Sequence, residues 1–324
     1  MPTGNKPRVI ALEEHYLDHE IAAAYGGSNA RRRAAGIGER LFDYGELRLK
    51  EMDEAGIDVQ VISHAPPGPQ RVDAATSVQL ATGANDRLRQ IVATNPARFA
   101  AFAALPTPDP VAAARELERC VTQLGFKGAM VHGLTEGQFI DHRRFWPIFE
   151  RAQALDVPIY LHPAAPHPDV VAAYYQDYLE DFPSLASAGW GYTVETATQG
   201  IRMVLSGVFD EYPELKIIIG HLGESIPFSL WRIDQAMSRP GNRDTSFSFK
   251  DYFCKHVWIT TSGNFSNPAL LCCVMEMGVD RILYSVDWPF VDNMLGAEWI
   301  PTIPLGAEDK AKILSGNAEK LLKL

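Results

Sequence analysis

Three kinds of feature are scarce or absent in this sequence, and each absence excludes a class of protein. Only four of the 324 residues are cysteine, with no CxxC spacing, so a disulfide-stabilised scaffold is excluded and reduced core cysteines are expected. Lys and Arg number 30 against 40 Asp and Glu, and the net charge of −10 argues against nucleic acid or an anionic membrane as a partner. No apolar run approaches the roughly eighteen residues of a membrane span, and no secretion signal is recognisable. We therefore expect a soluble, cytoplasmic protein.

Nucleotide-binding glycine loops are also absent, since the chain contains neither GxGxxG nor GxxxxGK[ST]. The chain instead alternates short apolar runs with stretches of helical period. The predicted strands are RVIAL (8–12), VQVIS (59–63), FAAFAAL (99–105), GAMVH (128–132), PIYLH (158–162), KIIIGH (216–221), VWITTSG (257–263) and ILYSVD (282–287). Eight strands alternating with helices predict an α/β fold, a (β/α)8 TIM barrel that forms a single domain over residues 1–324.

The spacing of the predicted strands is regular except between the fifth and the sixth. There, residues 167–215 hold a stretch rich in Pro, Tyr and Trp, followed by the predicted helix TVETATQGIRMVLSGVFDEYP. We interpret this stretch as an insertion that covers one side of the site. Residues 17–44 form a second long excursion with the basic run RRRAAG, which fits a solvated surface or a lid.

The carboxyl ends of the strands form the active face of such a barrel, so the residues at these ends are candidates for one site. Five of the nine histidines fall there. The ionisable residues at the strand ends are Glu13, His15, His64, His132, His162, His221 and Asp287. For His64 and His132 the sequence leaves two roles open, which are substrate contact and structural hydrogen bonding.

The stretch ALEEHY places an ExH motif directly after the first strand. Because successive side chains of an extended segment point to opposite sides, Glu13 and His15 are expected on one side and Glu14 on the other. Glu13 and His15, together with His162 and Asp287, offer two imidazoles and two carboxylates. This set suits Zn²⁺ or Mn²⁺, with Mg²⁺ as a further candidate. Taken singly, His162 also fits a hydrogen-bonded core histidine, and Asp287 also fits a helix cap.

Three further groups near the strand ends are candidates for substrate chemistry. The sixth strand ends in GHLGES, where Glu224 can orient His221 across a glycine turn, although Glu224 also fits the first turn of a helix. Arg48, in GELRLKEMDEAG, and Arg232, in SLWRIDQAMSR, are candidate carboxylate clamps. Arginines on exposed helices are also commonly just solvated.

Several stretches together carry a resemblance to a known family. They are ALEEH, VPIYLHP, the segment from FPSL to GWGY, GIRMVLSGVFDEYPELKIIIGHLGESIPFSLWRID and YSVDWPF. They resemble the decarboxylase branch of the amidohydrolase superfamily (amidohydrolase 2), which includes the γ-resorcylate, 2,3-dihydroxybenzoate and 5-carboxyvanillate decarboxylases. The hydrolytic branch usually carries HxH on its first strand, so the ExH of Glu13 and His15 favours the decarboxylases.

The resemblance implies a metal-dependent, non-oxidative decarboxylase of a hydroxylated benzoic acid, acting without an organic cofactor. Glu13, His15, His162 and Asp287 match the metal ligands of this branch. Asp287 would also protonate the ring carbon that bears the carboxyl group, which releases CO₂.

The resemblance also assigns expected roles to the residues around the metal ligands. His221 and Glu224 match the dyad of these enzymes, and Arg48 matches a position that binds the substrate carboxylate in some members. Arg232 falls where an arginine is lent to a neighbouring subunit, which implies a homodimer or a homotetramer. His64 occupies a position where a small polar residue is expected, so we treat it as a substrate-binding candidate.

Three alternatives to this activity remain at the level of the sequence. A lactonase-like hydrolase would use the same ligands with His221 as the base, and a decarboxylase of a non-aromatic, muconate-type acid would normally carry HxH. A catalytically silent barrel that serves as a scaffold is disfavoured because all four candidate ligands and the dyad are present.

Overall fold

A ring of short parallel strands forms the centre of the molecule. The computed structural model describes residues 7–26, 36–242 and 246–324. Its strands are β1 (Ile10–Tyr16), β2 (Val59–His64), β3 (Phe99–Ala101), β4 (Ala103–Ala104), β5 (Ala129–His132), β6 (Ile159–His162), β7 (Ile217–Ile219), β8 (Val257–Thr260) and β9 (Ile282–Leu283). Neighbouring strands pair in parallel in the orders β1-β2-β3 and β4-β5-β6-β7-β8-β9.

β3 and β4 are two pieces of one barrel strand. The N–H of Phe102 still donates to β2, at 3.0 Å, whereas the N–H of Ala103 donates to the carbonyl of Gly128 before β5, at 2.9 Å. The ring closes through a parallel bridge between Leu12 of β1 and Ser285, just beyond β9. The predicted (β/α)8 barrel is therefore confirmed, with its third strand divided where the chain changes partner.

Helices follow the strands and cover the outside of the ring. They are α1 (His19–Ala24), α2 (Ile37–Phe42), α3 (Glu46–Ala55), α4 (Ala74–Thr94), α5 (Pro110–Thr122), α6 (Trp146–Leu155), α7 (Pro168–Tyr174), α8 (Gly191–Leu205), α9 (Val208–Glu211), α10 (Ile226–Met237), α11 (Phe249–His256), α12 (Asn267–Met277), α13 (Asn293–Trp299), α14 (Ala307–Ala311) and α15 (Asn317–Leu322). Asp73, Asp109 and Ser266 accept hydrogen bonds from first-turn amides and so fix where α4, α5 and α12 begin. Within the described ranges, no helix has the length and apolar character needed to cross a bilayer.

Two apolar layers hold the barrel together. The larger one lies between the strands and the surrounding helices, and the smaller one draws residues from strands around the ring. The smaller layer includes Ile10, Leu12, Val61, Met130, Ile218 and Leu283, together with Leu321 and Leu322 of α15. Strand residues alternate between two faces, so every second residue points into the barrel. At the inward positions nearer the carboxyl ends, polar side chains replace the apolar ones. Tyr160 and then His162 on β6 illustrate this change.

The predicted insertion lies between β6 and β7, the fifth and sixth strand positions, and contains α7, α8 and α9. Its predicted long helix is divided at Gly207, which has a φ of +84°, so α8 and α9 are separate helices. In the second excursion, α1 and α2 are formed, whereas residues 31–35 of the basic run lie outside the described residues.

Candidate metal centre and active site

The four predicted metal ligands meet at the carboxyl ends of three strand positions. Glu13 and His15 belong to β1, His162 ends β6, and Asp287 follows β9. One ligand atom from each of the four lies within 4.8 Å of the others. Residues that are far apart in the sequence thus surround one point, as expected for a parallel barrel whose strand ends share a face.

The spacing and surroundings of these groups fit a bound cation. His15 Nε2 lies 3.2 Å from Asp287 Oδ1, and His162 Nε2 lies 3.1 Å from Glu13 Oε1. Glu13 Oε1, His15 Nε2 and Asp287 Oδ1 are buried, and none has a hydrogen-bond partner in the part of the chain that the structure describes. Buried polar atoms normally have partners, so these converging lone pairs fit a divalent ion.

Neighbouring groups orient the two imidazoles toward the shared point. The Nδ1 of His162 lies 2.6 Å from the carbonyl oxygen of Pro163, an acceptor only, so Nδ1 donates to it and Nε2 is the nitrogen that can bind a metal. The Nδ1 of His15 lies 3.3 Å from Ser63 Oγ. Burial lowers the pKa of His15, which favours the neutral ring that a metal requires.

A β-bulge and a group of hydroxyls position Glu13. The register between β1 and β2 shifts between Ala11 and Glu14, and Glu13 adopts a φ of +59°. Glu13 and His15 therefore converge as predicted, but through an irregular backbone rather than simple strand alternation. Tyr160 and Ser262 donate hydrogen bonds to Glu13 Oε2, with Thr260 Oγ1 at 3.4 Å.

The three hydroxyls around Glu13 were not predicted, although the sequence contains two signals for them. Tyr160 lies two residues before His162 on the same strand face, and the seventh predicted strand ends in the hydroxyl-rich ITTSG. A Cβ at Gly220 would come within 2.7 Å of Glu13 Oε2, so a side chain there would displace the carboxylate. Although burial alone would raise it, the pKa of Glu13 lies well below its usual range because His221 and His162 stabilise the carboxylate.

His221 and Glu224 form the predicted dyad beside the metal group. His221 Nδ1 lies 2.8 Å from Glu224 Oε1, and His221 Nε2 lies 3.7 Å from Asp287 Oδ2. Burial opposes the charge, but Glu224 and Glu13 raise the pKa of His221 well above its usual range. An imidazolium held between carboxylates can donate a proton or bind a phenolate oxygen.

A cavity of about 630 Å³ opens onto these groups, a size typical of small-molecule sites. Its polar wall includes His162, His221, Glu224 and Asp287, and its apolar wall includes Ile37, Pro66, Phe290 and Val291. The predicted insertion supplies Ser187, Ala188, Tyr192 and Thr193, so it does cover one side of the site. Such a cavity suits a planar ring that carries polar substituents.

The structure does not bring Arg48 into this group. Its side chain is 1% exposed and donates hydrogen bonds to Gln60 Oε1, at 3.0 Å, and to the carbonyl oxygens of His15 and Asp43. Its guanidinium carbon lies 4.0 Å from the ring centroid of Trp288. These contacts leave the expected role as a carboxylate clamp without support, because the guanidinium is bound to protein groups.

The remaining candidates lie around the site in different environments. The Nε2 of His64 accepts from the N–H of Asp18 at 3.1 Å, and its Nδ1 lies 2.6 Å from the carbonyl oxygen of Ala65, which favours the structural alternative. His132 is buried beside His162, with 5.0 Å between the ring centroids. Arg232 is exposed on α10 and makes no ion pair with another described residue.

Comparison with known proteins agrees with this arrangement. The γ-resorcylate decarboxylase of Polaromonas sp. strain JS666 is 40% identical over 97% of this chain and 98% of its own length. A crystal structure from the same organism, a dihydroxybenzoic acid decarboxylase with bound manganese and the inhibitor 2-nitroresorcinol, superposes with a TM-score of 0.90, covering 98% of each chain at 40% identity.

A second solved structure is similar to this chain to a comparable degree. The 5-carboxyvanillate decarboxylase of Sphingomonas paucimobilis superposes with a TM-score of 0.91 and 35% identity, covering 98% of this chain and 100% of that one. The amidohydrolase family model matches residues 11–324, which include all but the first residue of the barrel strands described above. The chain therefore belongs to the amidohydrolase family, and its expected place among the hydroxybenzoate decarboxylase relatives is confirmed.

Proposed function

We propose that this protein is a metal-dependent carboxy-lyase that removes CO₂ non-oxidatively from a hydroxylated benzoic acid. The observation that carries the proposal is the position of Asp287, which belongs to the four-residue metal group and also lies beside His221 on the cavity wall. A carboxylate in this position can contribute to both cation binding and proton transfer. Relatives of 40% and 38% identity with γ-resorcylate decarboxylase activity support the same reaction class.

The donor set defines the metal that the proposal requires. Two neutral imidazoles and two carboxylates match the ligand preferences of Mn²⁺ and Zn²⁺, and the two carboxylates balance the charge of the ion. Glu13, His15, His162 and Asp287 would hold it, and the manganese in the Polaromonas structure supports Mn²⁺. When bound, such a cation supplies Lewis acidity toward the carboxylate and the ortho hydroxyl of the substrate.

The side chains of the cavity would then carry the proton chemistry. Asp287 donates a proton to the ring carbon that bears the carboxyl group, which forms a C–H bond and interrupts the aromatic system. The bond to the carboxyl carbon then breaks, its electron pair returns to the ring, and CO₂ leaves. His221, oriented by Glu224, binds the phenolic oxygen and keeps it deprotonated, while Phe290 and Pro66 hold the ring and exclude water.

The test is CO₂ release from a panel of acids, each measured with Mn²⁺ and after treatment with a chelator. The panel contains 2,6-dihydroxybenzoate, 2,3-dihydroxybenzoate, 5-carboxyvanillate, an aryl lactone and, as a control, benzoate without an ortho hydroxyl. We expect CO₂ from at least one acid with an ortho hydroxyl and none from benzoate. The activity should disappear after chelation and return with Mn²⁺. Acid release from the lactone without CO₂ from any acid would instead identify a hydrolase.

We further propose a homodimer or homotetramer in which Arg232 enters the site of the neighbouring subunit. Arg232 lies on α10 beside Trp231, which is 68% exposed, and near Phe228, which is 84% exposed. Exposed aromatic side chains beside an arginine are typical of protein interfaces. The guanidinium would bind the substrate carboxylate, a contact that Arg48 does not supply.

The proposal treats the 324 residues as one catalytic domain that acts in the cytoplasm. All four cysteines, Cys120, Cys254, Cys272 and Cys273, are free. Unpaired cysteines are typical of proteins from a reducing compartment, which supports this location.

A further inference from the structure

A buried acidic side chain that the proposed chemistry does not use contacts the segment that carries Asp287. Glu14 is fully buried, and it is not one of the four residues of the metal group. Its Oε1 accepts a hydrogen bond from the N–H of Val286 at 2.9 Å, and its Oε2 accepts one from the N–H of Trp288 at 3.2 Å. These two amides belong to the residues on either side of Asp287, so a single side chain holds both neighbours of the proposed proton donor.

Gln60 and Arg48 hold Glu14 from the other side. The amide nitrogen of Gln60 lies 3.4 Å from Glu14 Oε2, and its oxygen accepts from Arg48 Nη1 at 3.0 Å. Arg48 Nη2 donates to the carbonyl oxygen of His15, and the guanidinium stacks on the ring of Trp288. The network therefore connects the His15 end of β1 with the segment that carries Asp287.

The backbone around Asp287 needs this kind of support. Asp287 has a φ of +73°, a left-handed conformation that is unfavourable for a residue with a side chain. The regular ladder has already ended, because β9 stops at Leu283. Beyond it, β1 and this segment meet through the bridge of Leu12 with Ser285 and a hydrogen bond from His15 N to the carbonyl of Trp288, at 2.6 Å.

We propose that Glu14 is a positioning residue that sets the location of Asp287, and that Arg48 acts through Glu14 and His15 rather than on the substrate. The catalytic part of the inference rests on the proposed function, whereas its metal-binding part depends only on the residues of this chain. A displaced Asp287 removes a ligand from the metal group as well as the proton donor from the ring carbon.

The first test is Glu14→Gln. The substitution keeps the shape but turns one acceptor oxygen into an N–H₂ group that faces a backbone N–H, so one of the two contacts is lost. We expect the affinity for Mn²⁺, measured by competition with a chelator, to fall about 10- to 100-fold, the usual effect of losing a group that orients a metal ligand. The kcat should fall over a similar range while KM changes little.

The matched control is Glu116→Gln. Glu116 is also buried, and it accepts hydrogen bonds from Asn85, at 2.7 Å, and from Arg119, at 2.8 Å, on the helical side of the barrel. We expect this variant to lower the melting temperature and to leave both the Mn²⁺ affinity and kcat unchanged. Arg48→Lys is the second test variant, because it keeps the charge but loses the paired contacts and the stacking.

Glu14→Gln and Arg48→Lys should each weaken Mn²⁺ binding, and their combined effect should be smaller than the product of the two, since they act through one network. If Glu14→Gln is insoluble, Arg48→Lys provides the same readouts. Wild-type Mn²⁺ affinity in a destabilised variant would overturn the inference, because Glu14 would then be only structural. If the wild type releases no CO₂ but Glu14→Gln still binds Mn²⁺ more weakly than Glu116→Gln, the proposed function fails and the positioning role stands.

Discussion

In the proposed mechanism, Asp287 combines two tasks that are usually given to different residues. One of its oxygens lies against His15 in the metal group, and the other faces His221 and the cavity. A metal ligand acts as a carboxylate, whereas a general acid must carry a proton during turnover. The contact with His221 provides a route by which Asp287 can be reprotonated after each cycle.

This double task predicts the behaviour of Asp287→Asn. The amide oxygen can still face the metal group, but the side chain has no acidic proton to donate. We expect kcat to fall by about 10²- to 10⁴-fold, the usual contribution of a positioned general acid. Binding of a nitro-substituted substrate analogue, measured by calorimetry, should be retained.

Asp292→Asn is the control for Asp287→Asn. Asp292 is a nearby carboxylate that caps α13, and asparagine is an equally good capping residue, so this variant should keep full activity. Substantial turnover by Asp287→Asn would show that another group protonates the ring.

At the scale of the element, the turn after β7 has an unusual backbone. His221, Leu222, Gly223, Glu224 and Ser225 all have positive φ values, between +50° and +74°. Four of these five residues carry a side chain, which makes the left-handed conformation costly. The turn places His221 and Glu224 on one side at 2.8 Å, so the dyad depends on a backbone that the sequence alone does not favour.

The strain in this turn predicts opposite effects for two substitutions. Ser225 has a φ of +64° and makes no capping hydrogen bond, so Ser225→Gly should raise the free energy of unfolding by about 0.5–1 kcal/mol. Gly223→Ala should lower it by about 1–2 kcal/mol, because its Cβ would lie 3.0 Å from Ile259 and Pro227 at a φ of +74°. Thermal unfolding of both variants beside the wild type measures the difference, and equal melting temperatures would contradict the strain.

The elements also show how far the sequence could predict this protein. Six of the eight strand ends could be predicted because an ionisable residue closes the apolar run, and the convergence of Glu13, His162 and Asp287 followed from the barrel. The bulge at Glu13 and the left-handed turn at His221 could not, because packing rather than local propensity fixes their φ values. Arg48 fits a substrate clamp at the level of the sequence because the sequence shows its charge but not its partners. The fold brings it into contact with Gln60 and the carbonyl of His15, which take up its hydrogen bonds.

At the scale of the whole molecule, none of the arginines in residues 7–26, 36–242 and 246–324 lines the cavity beside the metal group of the same subunit. Arg48 is bound to protein groups, and Arg232 lies exposed on α10 with aromatic neighbours. In a two-fold dimer the same surface is used twice, so an arginine that enters the neighbouring site is supplied reciprocally. Each active site would then consist of Asp287 from one subunit and Arg232 from the other.

This arrangement predicts that two variants with impaired activity restore activity when mixed. Arg232→Ala alone should lower kcat/KM about 10- to 100-fold, the value of hydrogen bonds to a charged group. After its subunits exchange with those of Asp287→Asn, random pairing should leave about a quarter of all sites with both residues intact. The control mixture, His221→Asn with Asp287→Asn, should remain inactive because every site keeps one defect. If the first mixture also stays inactive while native electrophoresis shows mixed dimers, Arg232 does not act across the interface.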